Sequence, residues 1–203
     1  MTSRPYVFME VSFLTATEDI KIERIDNMTS GESLDDGVEA NGIRFKTLVS
    51  EQVLTIPNRN GVKTRVQFGI RVTNFSPNPY RFIFFYLLPE LLAPDGQAIH
   101  RCYGVNGIKI PQESDFMLAM PGENLTFFLD AQLSWWNHKL RLGGYARNGG
   151  VWHFDALNPG IYRVRFAYRN QDAVRQIYGG GSIEGLWIGV VSTPFVEFRL
   201  VQP

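Results

Sequence analysis

Three histidines and one cysteine are the residues of this 203-residue chain best suited to hold a metal or support a nucleophile. His100, His138 and His153 stand far apart, and only His100 and Cys102 are close, two residues apart in "IHRCYG". On a strand that spacing turns both side chains to one face, but a zinc site needs further ligands, which the sequence does not identify. The expectation is no metal and no cofactor. Ser, His and Asp are all present, yet no Gly-x-Ser-x-Gly elbow surrounds any serine, so no catalytic residue is assigned and the chain reads as a non-enzyme. "YGGGSIEG", residues 178–185, has the glycine density of a phosphate cradle. It lacks the Lys-Ser/Thr ending and the following helix that such cradles need, and reads as a flexible loop. Cys102 follows Arg101, which could lower its pKa, but nothing else marks it as reactive and it reads as an inert thiol.

Recognition chemistry is better represented. "SWWNHK", residues 134–139, sets Trp135 and Trp136 side by side, and in a strand they must face opposite sides. An outward indole offers apolar area and a donor at low entropic cost, which suits a protein or a sugar ring. The competing reading packs it under a neighbouring loop or the N-terminal segment.

The elements that position these residues are strands. In 62–73, Val62, Thr64, Val66, Phe68, Ile70 and Val72 alternate with polar or small residues, as in a half-buried strand. Residues 160–168 and 195–201 repeat the pattern, with Tyr162, Val164, Phe166 and Tyr168 on one face of the first. "YRFIFFYLLP" is apolar on both faces and reads as one central strand over 80–88. Shorter strands are expected at 43–49, 53–56, 97–103, 125–131 and 151–155, punctuated by "PDG", "NPG" and "PNRNG". Many short strands without helical alternation imply an all-β, immunoglobulin-like antiparallel β-sandwich over residues 42–203. Residues 1–41 form an N-terminal extension, and the stretch 26–42 at its end carries five acids and no base and reads as a mobile acidic loop. Residues 1–25 could add an edge strand.

Charge narrows the partners. Lys+Arg and Asp+Glu balance at 20 each, so no global positive field draws the chain to nucleic acid. No apolar run reaches the ~18 residues of a membrane span, and no secretory signal is evident. One cysteine excludes an internal disulfide framework, and a cytoplasmic location is expected. Asn-x-Ser/Thr patterns at Asn27, Asn74 and Asn124 therefore read as chance.

In "LNPGIYRV" a turn leads through Gly160 to Tyr162 at the start of an alternating strand, the arrangement of a tyrosine corner, in which the phenol bonds back to the chain just upstream. With Val164 where an antibody domain has cysteine, strands B, C, E, F and G fall at 62–73, 80–88, 150–155, 160–168 and 186–201. The B–C loop (75–80), the D–E loop (135–150) and the F–G loop (169–185) then share one end, which collects glycines including Gly143, Gly144, Gly149 and Gly150. The run "NGGVWHFDALNPGIYRVRFAYRN" resembles part of the chagasin-like cysteine-protease inhibitors, which the resemblance implies share this fold and wedge the same three loops into a papain-type cleft. After Tyr168 and Arg169, "NQDAV" departs from that family's Arg-Pro-Trp. The functional expectation is an interaction module, monomeric or weakly self-associating, with another protein as partner; protease inhibition and carbohydrate binding are the alternatives. The residues expected to meet the partner are Trp135, Trp136, Asn78, Tyr80, Gly149, Gly150 and Tyr178.

Overall fold

The computed structural model describes residues 37–105, 107 and 109–203. The edge strand considered for 1–25, the acidic stretch up to residue 36 and Asn27 lie outside these residues. In chain order the strands are Val38–Ala40 (β1), Ile43–Val49 (β2), Val53–Thr55 (β3), Thr64–Asn74 (β4), Tyr80–Ile83 (β5), Pro89–Leu92 (β6), Cys102–Gly104 (β7) and Phe116–Ala119 (β8). They continue as Asn124–Trp136 (β9), Lys139–Tyr145 (β10), Val151–Leu157 (β11), Gly160–Asn170 (β12), Arg175–Gln176 (β13), Ser182–Ile183 (β14), Gly189–Ser192 (β15) and Val196–Val201 (β16). Among the described residues a short 3-10 turn at Glu113–Asp115 is the only helical element, and no helix is long and apolar enough to cross a membrane.

Two sheets carry the all-β sandwich. The larger has the order β1-β2-β4-β9-β10-β11-β7; the smaller has β15-β12-β16-β3, with β6 also paired to β12. Alternation explains their inner faces: Val66, Phe68, Ile70 and Val72 of β4, and Tyr162, Val164, Phe166 and Tyr168 of β12, are all buried. The two faces meet through aromatic rings. Phe45 of β2 lies 5.7 Å from Tyr168 of β12, and Phe68 of β4 lies 5.0 Å from Phe198 of β16, centroid to centroid. The expected placement of β4 and β12 in opposite sheets is therefore observed.

One polar link also crosses the core. Thr47 of β2 donates to the Pro194 carbonyl at 2.8 Å, and its hydroxyl lies 2.6 Å from that of Thr193. Residues 193–195 separate β15 from β16 and oppose only Arg165 and Phe166 of β12, a bulge where Pro194 has no N–H to give the ladder. The Thr193 hydroxyl accepts the Phe166 N–H at 2.9 Å and so keeps that donor satisfied.

Five expectations need correction. The strand expected at 97–103 is confined to Cys102–Gly104, and strand G, expected over 186–201, is two strands, β15 and β16, interrupted at 193–195. Residues 80–88 are not one strand: β5 ends at Ile83, the Leu87 N–H bonds the Phe84 carbonyl at 3.2 Å, and the chain re-enters a sheet as β6. The run is apolar on both faces because it separates two cores. Phe82 and Phe84 enter the main one, while Ile83 and Phe85 join Phe116, Ile183 and Leu186 in a satellite. Next, residues 135–150 are not a single D–E loop. β9 extends to Trp136, Asn137 and His138 turn with φ of 46° and 61°, and β10 runs back beside it. A two-residue turn with both φ positive matches the twist of the strands it joins. Gly143 and Gly144, expected in the loop, lie within β10, where a Cβ on Gly144 would strike the Asp130 carbonyl. Finally, β4 and β11, assigned as strands B and E, are not the adjacent B and E strands of an immunoglobulin sheet, because β9 and β10 lie between them.

The crossing from β11 to β12 is as expected. Tyr162 is buried, and its hydroxyl donates to the Asn158 carbonyl and accepts the Asn158 N–H, both at 2.9 Å. Gly160 has φ of 158°, which L side chains rarely adopt, and an added Cβ would come within 2.8 Å of Pro94 Cγ, so a substitution there is strained. Tyr162→Phe keeps the ring and removes both bonds, so urea denaturation should show a loss of about 1 to 3 kcal/mol with an unchanged m-value.

Candidate functional site

Strand registers decide which residues share an end of the sandwich. β4 and β9 run antiparallel, with Thr73 opposite Asn124 and Thr64 opposite Leu133, so Trp136 lies beyond the Thr64 end of β4. The segments after Asn74, Tyr145 and Asn170 run toward the other end. Residues 75–79, 146–150 and 171–188 therefore form the loop-bearing end, and the tip of the β9–β10 hairpin lies opposite.

Each loop at that end is rooted on a buried asparagine. Asn74, fully buried, donates to the carbonyls of Asn78 and Ala119 at 2.8 and 3.0 Å and accepts the N–H and hydroxyl of Ser76 at 3.0 and 2.7 Å. Asn148 donates to the Tyr103 hydroxyl at 2.6 Å and accepts the Gly150 N–H at 3.0 Å. Asn170 donates to the carbonyls of Asp172 and Trp187, both at 2.8 Å. A carboxamide offers two donors and an acceptor, enough to hold irregular backbone that no ladder satisfies. Cross-links tie the loops together: the Arg81 N–H donates to the Gly185 carbonyl at 2.9 Å, the Trp187 N–H donates to the Arg81 carbonyl at 3.0 Å, and the Asn148 N–H donates to the Phe85 carbonyl at 3.3 Å. "YGGGSIEG" closes a short hairpin, since β13 and β14 pair Arg175 with Ile183 and Gln176 with Ser182.

Five of the seven expected contact residues lie here. Asn78 is exposed and gives its carbonyl to Asn74 and Ser76; Tyr80 is half-buried at the head of β5; Gly149 takes φ of 86°. Gly150 packs against the Tyr103 ring with no room for a Cβ. Tyr178 is 69% exposed, with its N–H on the Pro111 carbonyl at 2.8 Å. Trp135 and Trp136 are not with them. They face opposite sides of β9, as strand geometry requires. The Trp135 indole donates to the Pro57 carbonyl at 2.6 Å and lines a cleft of about 570 Å³ with His138, Leu157 and Pro159. Trp136 is 58% exposed on the outer face of the larger sheet, with the Arg141 guanidinium 5.2 Å from its ring.

Arg141 leads to a cluster that the sequence did not suggest. Its Nε and Nη2 donate to Asp155 Oδ1 and Oδ2 at 2.6 and 3.1 Å, and Asp155 Oδ2 lies 3.4 Å from His153 Nε2. His153 and Asp155 share the outer face of β11 by alternation, and antiparallel pairing places Cys102 of β7 directly opposite His153. A donor atom from each of Cys102, His153 and Asp155 lies within 4.8 Å of the others. His100 is exposed and lies outside β7, so it does not share a strand face with Cys102, which instead lies opposite His153 across strands. The available signal was the polar alternation of "HFD"; the 51-residue separation from Cys102 hid the rest.

Electrostatics here are asymmetric. Burial pushes the His153 pKa below its ordinary 6.5, the Arg141 charge adds to this, and Asp155 opposes both. Burial pushes Asp155 up, but the Arg141 hydrogen bond and charge, with His153 and Lys139, outweigh it and hold the carboxyl below its usual range. Because the folded state favours neutral His153, acidification through the ordinary histidine range protonates the unfolded chain first and costs stability; the loss levels off below the folded pKa. Proton NMR titration should place the His153 midpoint below 6.5, and Asp155→Asn, which removes the one opposing charge, should move it lower still.

No family model, curated protein or solved structure matches the chain, so function rests on the geometry.

Proposed function

We propose that the protein is a non-enzymatic, immunoglobulin-like interaction module that engages another protein through its loop-bearing end. The observation that supports this reading is the rooting of three irregular loops on Asn74, Asn148 and Asn170. Backbone held before binding loses less freedom on association, which is where affinity from loops is otherwise lost. Tyr178 and Tyr86 stand exposed on this end, and tyrosine supplies large contact area and a hydroxyl with few rotors to freeze. Convergence of the three loops also favours the narrower reading, entry into the cleft of a papain-type protease. Carbohydrate binding on Trp136 is less favoured, because Arg141 lies over that ring.

Chemical cross-linking with quantitative capture tests the reading, using wild type, Tyr178→Ala, Tyr86→Ala and, at the opposite end, Trp136→Ala. A partner retained by Trp136→Ala and weakened about tenfold or more by Tyr178→Ala is expected. A partner lost with Trp136→Ala and kept by both tyrosine variants sinks the proposal. Papain inhibition that disappears in the tyrosine variants would identify the partner class, whereas no inhibition removes only the protease reading.

A further inference from the structure

We propose that Cys102, His153 and Asp155 bind one zinc-like divalent transition-metal ion on the outer face of the larger sheet. The ligand types suit such an ion: thiolate, imidazole and carboxylate are the three donor classes zinc takes, and three protein ligands leave a fourth position open to water. The backbone presents them together. Cys102 and His153 are cross-strand partners in the β7–β11 ladder, and His153 and Asp155 are two residues apart on one face of β11. Their donor atoms already lie within 4.8 Å of one another, so side-chain rotation alone can close them to the spacing around a tetrahedral ion.

The surroundings support the same use. On the far side of His153 the sheet carries Gly143, where a Cβ would come within 2.9 Å of the His153 Cβ and 2.7 Å of the Trp152 carbonyl. The glycine leaves space beside the imidazole. Arg141 grips both oxygens of Asp155 and fixes the carboxylate plane; each oxygen keeps a second lone pair for an ion, the outer-shell arrangement that orients metal ligands. Arg141 and Lys139 are cations near the site and oppose a divalent charge, but the thiolate and carboxylate supply two negative charges to match it. Binding converts the Cys102 thiol to a metal-bound thiolate and releases its proton to solvent. The fourth position faces solvent, because the His153 and Asp155 side chains are only partly covered, at 20% and 33% exposure.

Co²⁺ is the probe, titrated into the reduced full-length chain, with Zn²⁺ as competitor. The chain has a single cysteine, so a thiolate-to-cobalt charge-transfer band belongs to Cys102 alone. One Co²⁺ per chain with that band, displaced by Zn²⁺, is expected. Cys102→Ser should abolish the band, His153→Ala and Asp155→Asn should each weaken binding about a hundredfold or more, and His100→Ala should leave it unchanged. His153→Gln, closer in size, replaces His153→Ala if thermal melting shows that the alanine variant is unfolded. Absence of the band in wild type overturns the proposal. So does a band that survives loss of His153 at full affinity, one that follows His100, or a stoichiometry of one ion per two chains.

Discussion

The Tyr168 ring is where the separate parts of this protein meet. It packs against Phe45 of the opposite sheet at 5.7 Å, against Phe82 and Phe84 of the bent 80–88 segment at 6.1 and 5.8 Å, and against Trp187 of the last loop at 5.8 Å. Its hydroxyl accepts the Ile83 N–H at 3.4 Å, and burial pushes its pKa up to about 12, so it stays a neutral phenol. Offset and edge-on rings of this kind add to area burial, and here they also fix where the loop end begins. Trp187 can enter only because Gly189 has no side chain; a Cβ there would overlap the indole. Once Trp187 is seated, its N–H and carbonyl fall to Arg81 and Asn170, and the 171–188 loop has both of its ends determined.

Buried polar groups do the complementary work of satisfying backbone that leaves the ladders. The pattern is consistent: a hydroxyl at the β15–β16 bulge, a phenol at the β11–β12 crossing, and carboxamides at the three loops. Each sits within a few residues of the place where regular pairing stops. An unpaired buried N–H or carbonyl costs far more than a typical hydrogen bond contributes, so these side chains decide the path of the chain at its irregular points. The same logic explains why Asn74, an Asn-x-Ser pattern in the sequence, is interior rather than a surface acceptor.

How much of this was legible in the sequence follows from the range of the physics involved. Alternation is local, so β2 was read at its observed bounds and β4, β12 and β16 within two residues of theirs. The tyrosine corner is local as well, spanning Asn158 to Tyr162, and its hydrogen bonds lie where the residue types imply. The break after Ile83 was not legible, because an apolar run covered on both sides looks alike whether one sheet or two cores cover it. β10 was missed because Gly143 and Gly144 interrupt its alternation; their reason is close approach to the β9 and β11 backbones, which only the sheet order reveals. That error displaced Trp135 and Trp136 to the wrong end. Cys102, His153 and Asp155 failed in a third way: their relation is a register between strands, which no single stretch contains.

Register also separates the two surfaces in kind. The loop end owes its shape to side chains that reach into the core, so its geometry is coupled to the packing around Tyr168 and Trp187. The outer-face cluster owes its shape to the β7–β11 ladder, and among the described residues β7 is a three-residue edge strand with one paired side. A short edge is the part of a sheet most able to fray, and its register is held by few bonds. A ligand that joins Cys102 to His153 would tie that edge to its neighbour across the ladder, acting on the sheet margin without repacking the core. The two surfaces are nonetheless linked, because Tyr103 of β7, next to Cys102, accepts the Asn148 amide at 2.6 Å and packs against Gly150, so a ligand that firms this edge also steadies the 146–150 loop.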